Sequence, residues 1–195
     1  MESVNGYIIN HLINYRIIKE KDKPIYEYGV SILILKIVYW FVFLIYGLCF
    51  NVFYETVAFL ALYSLIRIYA GGYHASSIRN CFIISFSTVI VNGILCNNIF
   101  LFEISFFDEI IFFISSTIIL VCCPVENKNK KLDSGEKKKY KIYAILILLI
   151  YMFLFFIFSF QISLFEHDKV IVFNVIFTET IMIVLGKIEN KNKER

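Results

Sequence analysis

The chain has 195 residues, of which 59% are hydrophobic and 18% aromatic, with a mean hydropathy of +0.73 and a formal charge of +3. Soluble globular domains are about half apolar, so the composition excludes an ordinary soluble domain and describes an all-α integral membrane protein. One membrane domain spanning residues 1–195 is the natural organisation. Nothing in the small net charge suggests a nucleic-acid partner.

Residues 1–28 lack the continuous apolar stretch of a signal peptide and carry charges of both signs. Val4, Tyr7, Ile8, Leu12, Tyr15 and Ile18 recur at three- and four-residue intervals. That spacing predicts an amphipathic helix lying at the membrane interface. Arg16, Lys19, Lys21 and Lys23 follow, and Pro24 is expected to stop the helix.

Six apolar runs then approach bilayer-spanning length: 30–50, 52–70, 81–102, 105–123, 142–165 and 169–186. Four of them lie in 30–123, which includes the polar loop 67–81, and two in 142–186. Between these sets lies a Lys-rich loop, 124–141, and a basic tail, 187–195, closes the chain. Seventeen of the 19 Lys and Arg fall in the N-terminal segment, around the second connection, in the fourth connection or in the tail; the exceptions are Lys36 and Lys169. By the positive-inside rule both termini, the 67–81 loop and the Lys-rich loop are cytoplasmic. Seven lysines beside a bilayer anchor topology, bind anionic lipid, or receive an acidic peptide; composition does not separate these roles.

Five cysteines (Cys49, Cys81, Cys96, Cys122, Cys123) sit in or beside apolar runs without metal-type spacing, and the three His lie on different segments. Neither a disulfide framework nor a metal or other cofactor is expected, and no H-E-x-x-H motif occurs. Chemistry is concentrated in Arg67 to Cys81, the most polar interval between two apolar runs, where His74 precedes Cys81 by seven residues. A His can take the proton that a thiol must lose to become a nucleophile. In an unbroken helix the two would lie about 10.5 Å apart along the axis, so the helix must break, and Gly71-Gly72 and Ser76-Ser77 are the expected places. Taken alone, the pair reads more readily as an interfacial His and a small packed Cys.

The pattern R-x3-G-G-x-H-A-x5-C-x3-S, met as Arg67, Gly71, Gly72, His74, Ala75, Cys81 and Ser85, resembles the accessory gene regulator B (AgrB) family. Those are bacterial membrane cysteine endopeptidases that process the precursor of a peptide quorum-sensing signal. The layout is similar too: an amphipathic start, a membrane bundle, and a Pro (Pro124) leading into a Lys-rich loop. The second Pro usual in that loop is absent, and Leu132-Asp133 stands in its place. The resemblance implies that His74 and Cys81 are catalytic and that Arg67, Gly71, Gly72 and Ser85 support them. Arg79, Lys128, Lys130 and Lys131 are expected to meet the substrate. It also implies a multi-pass protein of the bacterial plasma membrane whose substrate is a precursor peptide of the AgrD type. A homodimer is an open alternative. Backbone N–H groups at a helix start near Cys81, Arg79 or Arg67 would receive the oxyanion, and Asn80, Ser76 and Glu126 are candidates for orienting His74.

A rival reading is a non-enzymatic permease or assembly partner, based on the polar residues Lys36, Asn92, Asn97, Asn98 and Glu179 inside apolar runs. Interhelical hydrogen bonding is the preferred reading of those residues.

Overall fold

The computed structural model describes residues 2–15, 17–73, 78–97, 106–126, 132–160 and 166–193. Among these residues seven α-helices follow in order: α1 (Glu2–Asn14), α2 (Lys23–Cys49), α3 (Phe53–Ala70), α4 (Ile78–Asn97), α5 (Phe106–Cys122), α6 (Ser134–Phe160) and α7 (Glu166–Lys193). A 3-10 turn, Glu20–Asp22, precedes α2. Among the described residues there is no β-strand, only an isolated parallel bridge between Gly71 and Val125. The all-α expectation holds, and each of the six apolar runs overlaps one of the helices α2 to α7. Five of these, all but α5, are long and apolar enough to cross a membrane. With 17 residues, α5 spans about 26 Å, slightly less than a typical hydrocarbon core.

The chain forms two compact units, residues 1–45 and 46–195. In the first, α1 ends at Asn14, well before Pro24. Pro24 is the second residue of α2 and starts that helix instead of stopping the earlier one. The physical reason is that a first-turn residue has no intrahelical partner for its N–H, so proline loses nothing there. The expected apolar stripe is also divided: Ile18 is buried, whereas Tyr7 and Tyr15 are exposed. Both tyrosines contact the His11 ring, with centroids 5.8 and 4.8 Å away.

The second unit is organised around α7, which packs against α3, α4, α5 and α6. Its membrane-length window is 56% buried, against 22–28% for α3, α4 and α6, so α7 is the core helix and the others present outer faces. Ile171, Val175, Ile176 and Ile183 make its apolar contacts. Phe112 of α5 stacks on Phe155 of α6 at 3.9 Å, and Tyr151 of α6 donates to the Leu62 carbonyl of α3 at 2.7 Å. Leu132-Asp133 opens α6: the Asp133 N–H donates to Glu136 Oε2 at 3.2 Å and the Asp133 carbonyl accepts from the Lys137 N–H at 2.8 Å. This is the back-bonding half of a capping box, with the acid three residues after the cap.

Candidate functional site

Helix α3 cannot continue past Ala70. Gly71 has φ +75° and Gly72 φ +119°, values that side chains with a Cβ rarely adopt. The surroundings demand glycine as well. A Cβ on Gly71 would collide with the Val125 carbonyl, and one on Gly72 with the Arg67 guanidinium and the Met182 carbonyl. The chain therefore leaves α3 through a turn with backbone packed against it on two sides. On one side the Val125 N–H donates to the Ala70 carbonyl at 2.9 Å; on the other the Tyr73 N–H donates to the Met182 carbonyl of α7 at 2.7 Å. Gly186 admits this approach, because a Cβ there would lie 2.7 Å from Gly72 C and Tyr73 N.

Arg67 locks the turn from within. Its Nη1 donates to the Gly71 carbonyl at 2.6 Å, and its Nη2 donates to the Tyr73 carbonyl. One planar guanidinium thus holds the carbonyls of the two residues that flank Gly72. Behind it lies Glu179 of α7, with Oε2 3.5 Å from Arg67 Nη1. The Glu179 side chain is 0% exposed and that of Arg67 18% exposed. At that separation the contact is an ion pair, and neither Glu179 oxygen has a hydrogen-bond partner among the described residues. Removing one member of a buried pair costs about 3–5 kcal/mol, because the other charge is left uncompensated.

The candidate residues fall into two groups. Arg67, Gly71 and Gly72 meet in this turn. Cys81 lies in the first turn of α4, which begins at Ile78, and it is exposed. Ser85 lies one turn further along α4 and is half-buried, and the backbone of Arg79 is also in α4. His74, Ser76, Lys128, Lys130 and Lys131 lie outside the described residues. The expected interruption between Gly71 and Cys81 is present, since α3 ends at Ala70 and α4 begins at Ile78.

Of the proposed orienters of His74, Asn80 is an exposed residue of α4. Glu126 is engaged elsewhere: its carboxylate pairs with Lys137 at 3.0 Å and accepts the Leu132 N–H at 3.0 Å, while its carbonyl accepts Asn190 Nδ2 at 3.0 Å. Beside the Gly71–Val125 bridge, Val125, Glu126, Lys137, Lys187, Asn190 and Lys191 line an open cavity of about 400 Å³. The five cysteines are free thiols.

Sequence reasoning missed Val125, Met182 and Gly186, and it read Glu179 as interhelical glue. A signal was present: Glu179, Met182 and Gly186 are spaced three and four apart, on one helix face. The glue reading does hold for Asn92, whose Oδ1 accepts Asn174 Nδ2 at 3.0 Å and whose Nδ2 donates to the Glu55 carbonyl at 3.3 Å. Asn97 and Lys36 are exposed, and Asn98 lies outside the described residues.

These features define a helical membrane protein in which a glycine turn, clamped by a half-buried arginine, leads into the helix that carries an exposed cysteine. Residues 6–185 match the model of the family described as accessory gene regulator B, and the chain belongs to that family. It is similar to AgrB-like protein 2 of Clostridium perfringens strain 13, 34% identical over 122 residues, 60% of this chain and 57% of the relative. An AgrB-like protein of strain SM101 matches with the same identity and coverage. The chain thus spans little more than half the length of these curated relatives. No solved structure gives a significant match.

Proposed function

We propose that the protein is a membrane cysteine endopeptidase of peptide quorum sensing, with His74 as base and Cys81 as nucleophile. The observation that carries this is the broken helix: the Gly71–Tyr73 turn removes the geometry that would hold the two side chains about two turns apart. His74 takes the Cys81 proton, and the thiolate attacks a backbone carbonyl of an AgrD-type precursor peptide. The imidazolium protonates the departing amine, and a thioester to Cys81 remains. A thiol or hydroxyl within the peptide then attacks the thioester, releasing the Cys81 thiol and closing a thiolactone or lactone ring. Thioester exchange is nearly balanced, so closure needs no ATP where water is excluded. The first N–H groups of α4 have no intrahelical acceptor and are suited to receive the oxyanion.

The site belongs at the cytoplasmic rim of the plasma membrane. The charge distribution supports this, as does the clustering of Lys137, Lys187 and Lys191 around the cavity beside the Gly71 turn. Those cations, with Lys128, Lys130 and Lys131, would attract an acidic part of the substrate. Screening over about 8 Å makes such a hold loose. Replacing Lys128, Lys130 and Lys131 with Gln is therefore expected to raise KM more than it lowers kcat; an unchanged KM at low salt would leave the loop as a topology anchor.

The decisive experiment is cleavage of the precursor peptide by protein reconstituted in lipid vesicles. Cys81→Ala and His74→Ala should each abolish it, whereas Cys49→Ala and Cys96→Ala should not. Wild-type cleavage in either of the first two variants rejects the assignment. For topology, reporter fusions at residues 51, 103 and 167 should lie outside, and finding residue 135 on the same side as 103 rejects the cytoplasmic placement.

A further inference from the structure

We propose that Glu179 is a positioning residue for the catalytic turn. Together with the Met182 carbonyl and Gly186 on the same face of α7, it fixes the Arg67 fork that holds Gly71 to Tyr73, and so sets where residue 74 begins. This inference rests on the endopeptidase reading above.

Three observations converge on it. First, a fully buried carboxylate inside an apolar helix is costly and needs a reason. Glu179 does not behave as ordinary interhelical glue, since among the described residues its oxygens make no hydrogen bond and its one ion-pair partner is Arg67. Second, the hydrogen bonds that Arg67 donates go to main-chain carbonyls, those of Gly71 and Tyr73. Neutral carbonyls orient a guanidinium but do not neutralise it. The carboxylate supplies the missing countercharge, while the two carbonyls fix the plane of the fork.

Third, the α7 face offers the turn three different things at positions 179, 182 and 186. They are a negative charge for Arg67, a carbonyl for the Tyr73 N–H, and a missing side chain that lets the backbone of Gly72 and Tyr73 lie against the helix. Ordinary helix packing sets side-chain ridges into grooves. Here a helix receives the backbone of a turn, and the residue that follows that backbone is His74. A shift of the turn would carry the imidazole with it, and misplacing a reacting group by about 1 Å can cost roughly 100-fold in rate.

The test uses the full-length protein in lipid vesicles with the precursor peptide, comparing Glu179→Gln, Glu179→Asp and Gly186→Ala, with Asn174→Ala as a control. Asn174 is a buried polar residue of the same helix, bonded to Asn92 and away from the turn. Gln matches Glu in size without its charge, whereas Asp keeps the charge at smaller volume. A packing role would therefore favour Gln, and a positioning role Asp. Glu179→Gln is expected to lower kcat roughly 100-fold, with KM changed by no more than about threefold. Glu179→Asp should recover about tenfold of that loss, since it restores the countercharge. Gly186→Ala, which leaves the ion pair intact and pushes only on the turn, should lower kcat with little change in KM. Wild-type turnover in Glu179→Gln, more activity in Gln than in Asp, or an equal loss of kcat in Asn174→Ala would overturn the proposal. Should the Gln variant fail to fold, Gly186→Ala decides alone, and wild-type kcat there is fatal. Cleavage surviving in Cys81→Ala or His74→Ala would instead reject the endopeptidase reading. Loss in those two alongside full activity in Glu179→Gln rejects this inference alone.

Discussion

The two ends of the α3–α7 bundle both place charges inside an apolar frame, but they use them differently. At the Arg67 end side chain meets backbone: one guanidinium holds two carbonyls, and a helix carbonyl holds the Tyr73 N–H. At the other end side chain meets side chain. His167 Nδ1 lies 2.9 Å from Glu55 Oε1, Tyr54 OH donates to Asp168 at 2.6 Å, and Lys169 Nζ lies 3.1 Å from Glu109 Oε1. Paired side chains tie helices together and can find new partners by changing rotamer. A clamp on carbonyls fixes the path of the chain, and only this end requires glycines at positive φ. The first arrangement suits a site that must present the next residue accurately, and the second suits a joint.

Gly72→Ala should break this contrast most severely. Strain at a forbidden φ costs of order 1–3 kcal/mol, and the new Cβ would also displace the Arg67 guanidinium or the Met182 carbonyl. Under the endopeptidase reading turnover should fall by at least about 100-fold, with a lower unfolding temperature in detergent. An active, stable Gly72→Ala protein would mean that the turn tolerates another path and that the clamp is not needed.

The contrast also marks what was legible in the sequence. Apolar length located the six main helices, because a bilayer-spanning run leaves little else for its backbone to do. It underestimated the ends: α6 begins at Ser134, eight residues before its apolar run, because Asp133 and Glu136 provide a helix start and Lys137 to Lys141 can extend it. Gly71-Gly72 announced the break between helices, since paired glycines have a local cause that can be read locally. The partner of Arg67 had no such local cause. Glu179 stands on the last helix, and only the fold brings it to the end of α3. Pro24 misled for the opposite reason, since its local rule reverses in the first turn of a helix.

Asn174→Ala probes the joint at its buried inner edge. It removes the donor to Asn92 Oδ1, which in turn lies 3.8 Å from the Cys96 thiol. Asn92 Oδ1 then keeps only that weak thiol donor, and losing a buried hydrogen bond costs about 0.5–1.5 kcal/mol, so thermal unfolding should come earlier while kcat stays near that of the wild type. A kcat loss without destabilisation would mean that the two ends are not separate in function.

The smallest effect is expected where the joint meets solvent, at Glu109–Lys169, and its asymmetry is the informative part. The Lys169 side chain is 14% exposed and that of Glu109 36% exposed, and the ammonium lies 5.3 Å from the centre of the Phe155 ring. Lys169→Gln leaves a carboxylate that water can reach, so it should cost little. Glu109→Gln leaves the less accessible cation over the Phe155 ring without its countercharge, so it should cost more. Because the pair is partly exposed, the coupling in a double-mutant cycle should stay below about 1 kcal/mol. Orientation in the membrane should be unchanged in Lys169→Gln, since this removes one of the two cations that depart from the charge pattern of the loops. A coupling several times larger would show that this end is as tightly specified as the Arg67 end. The distinction between a clamp on backbone and a joint of side chains would then fail.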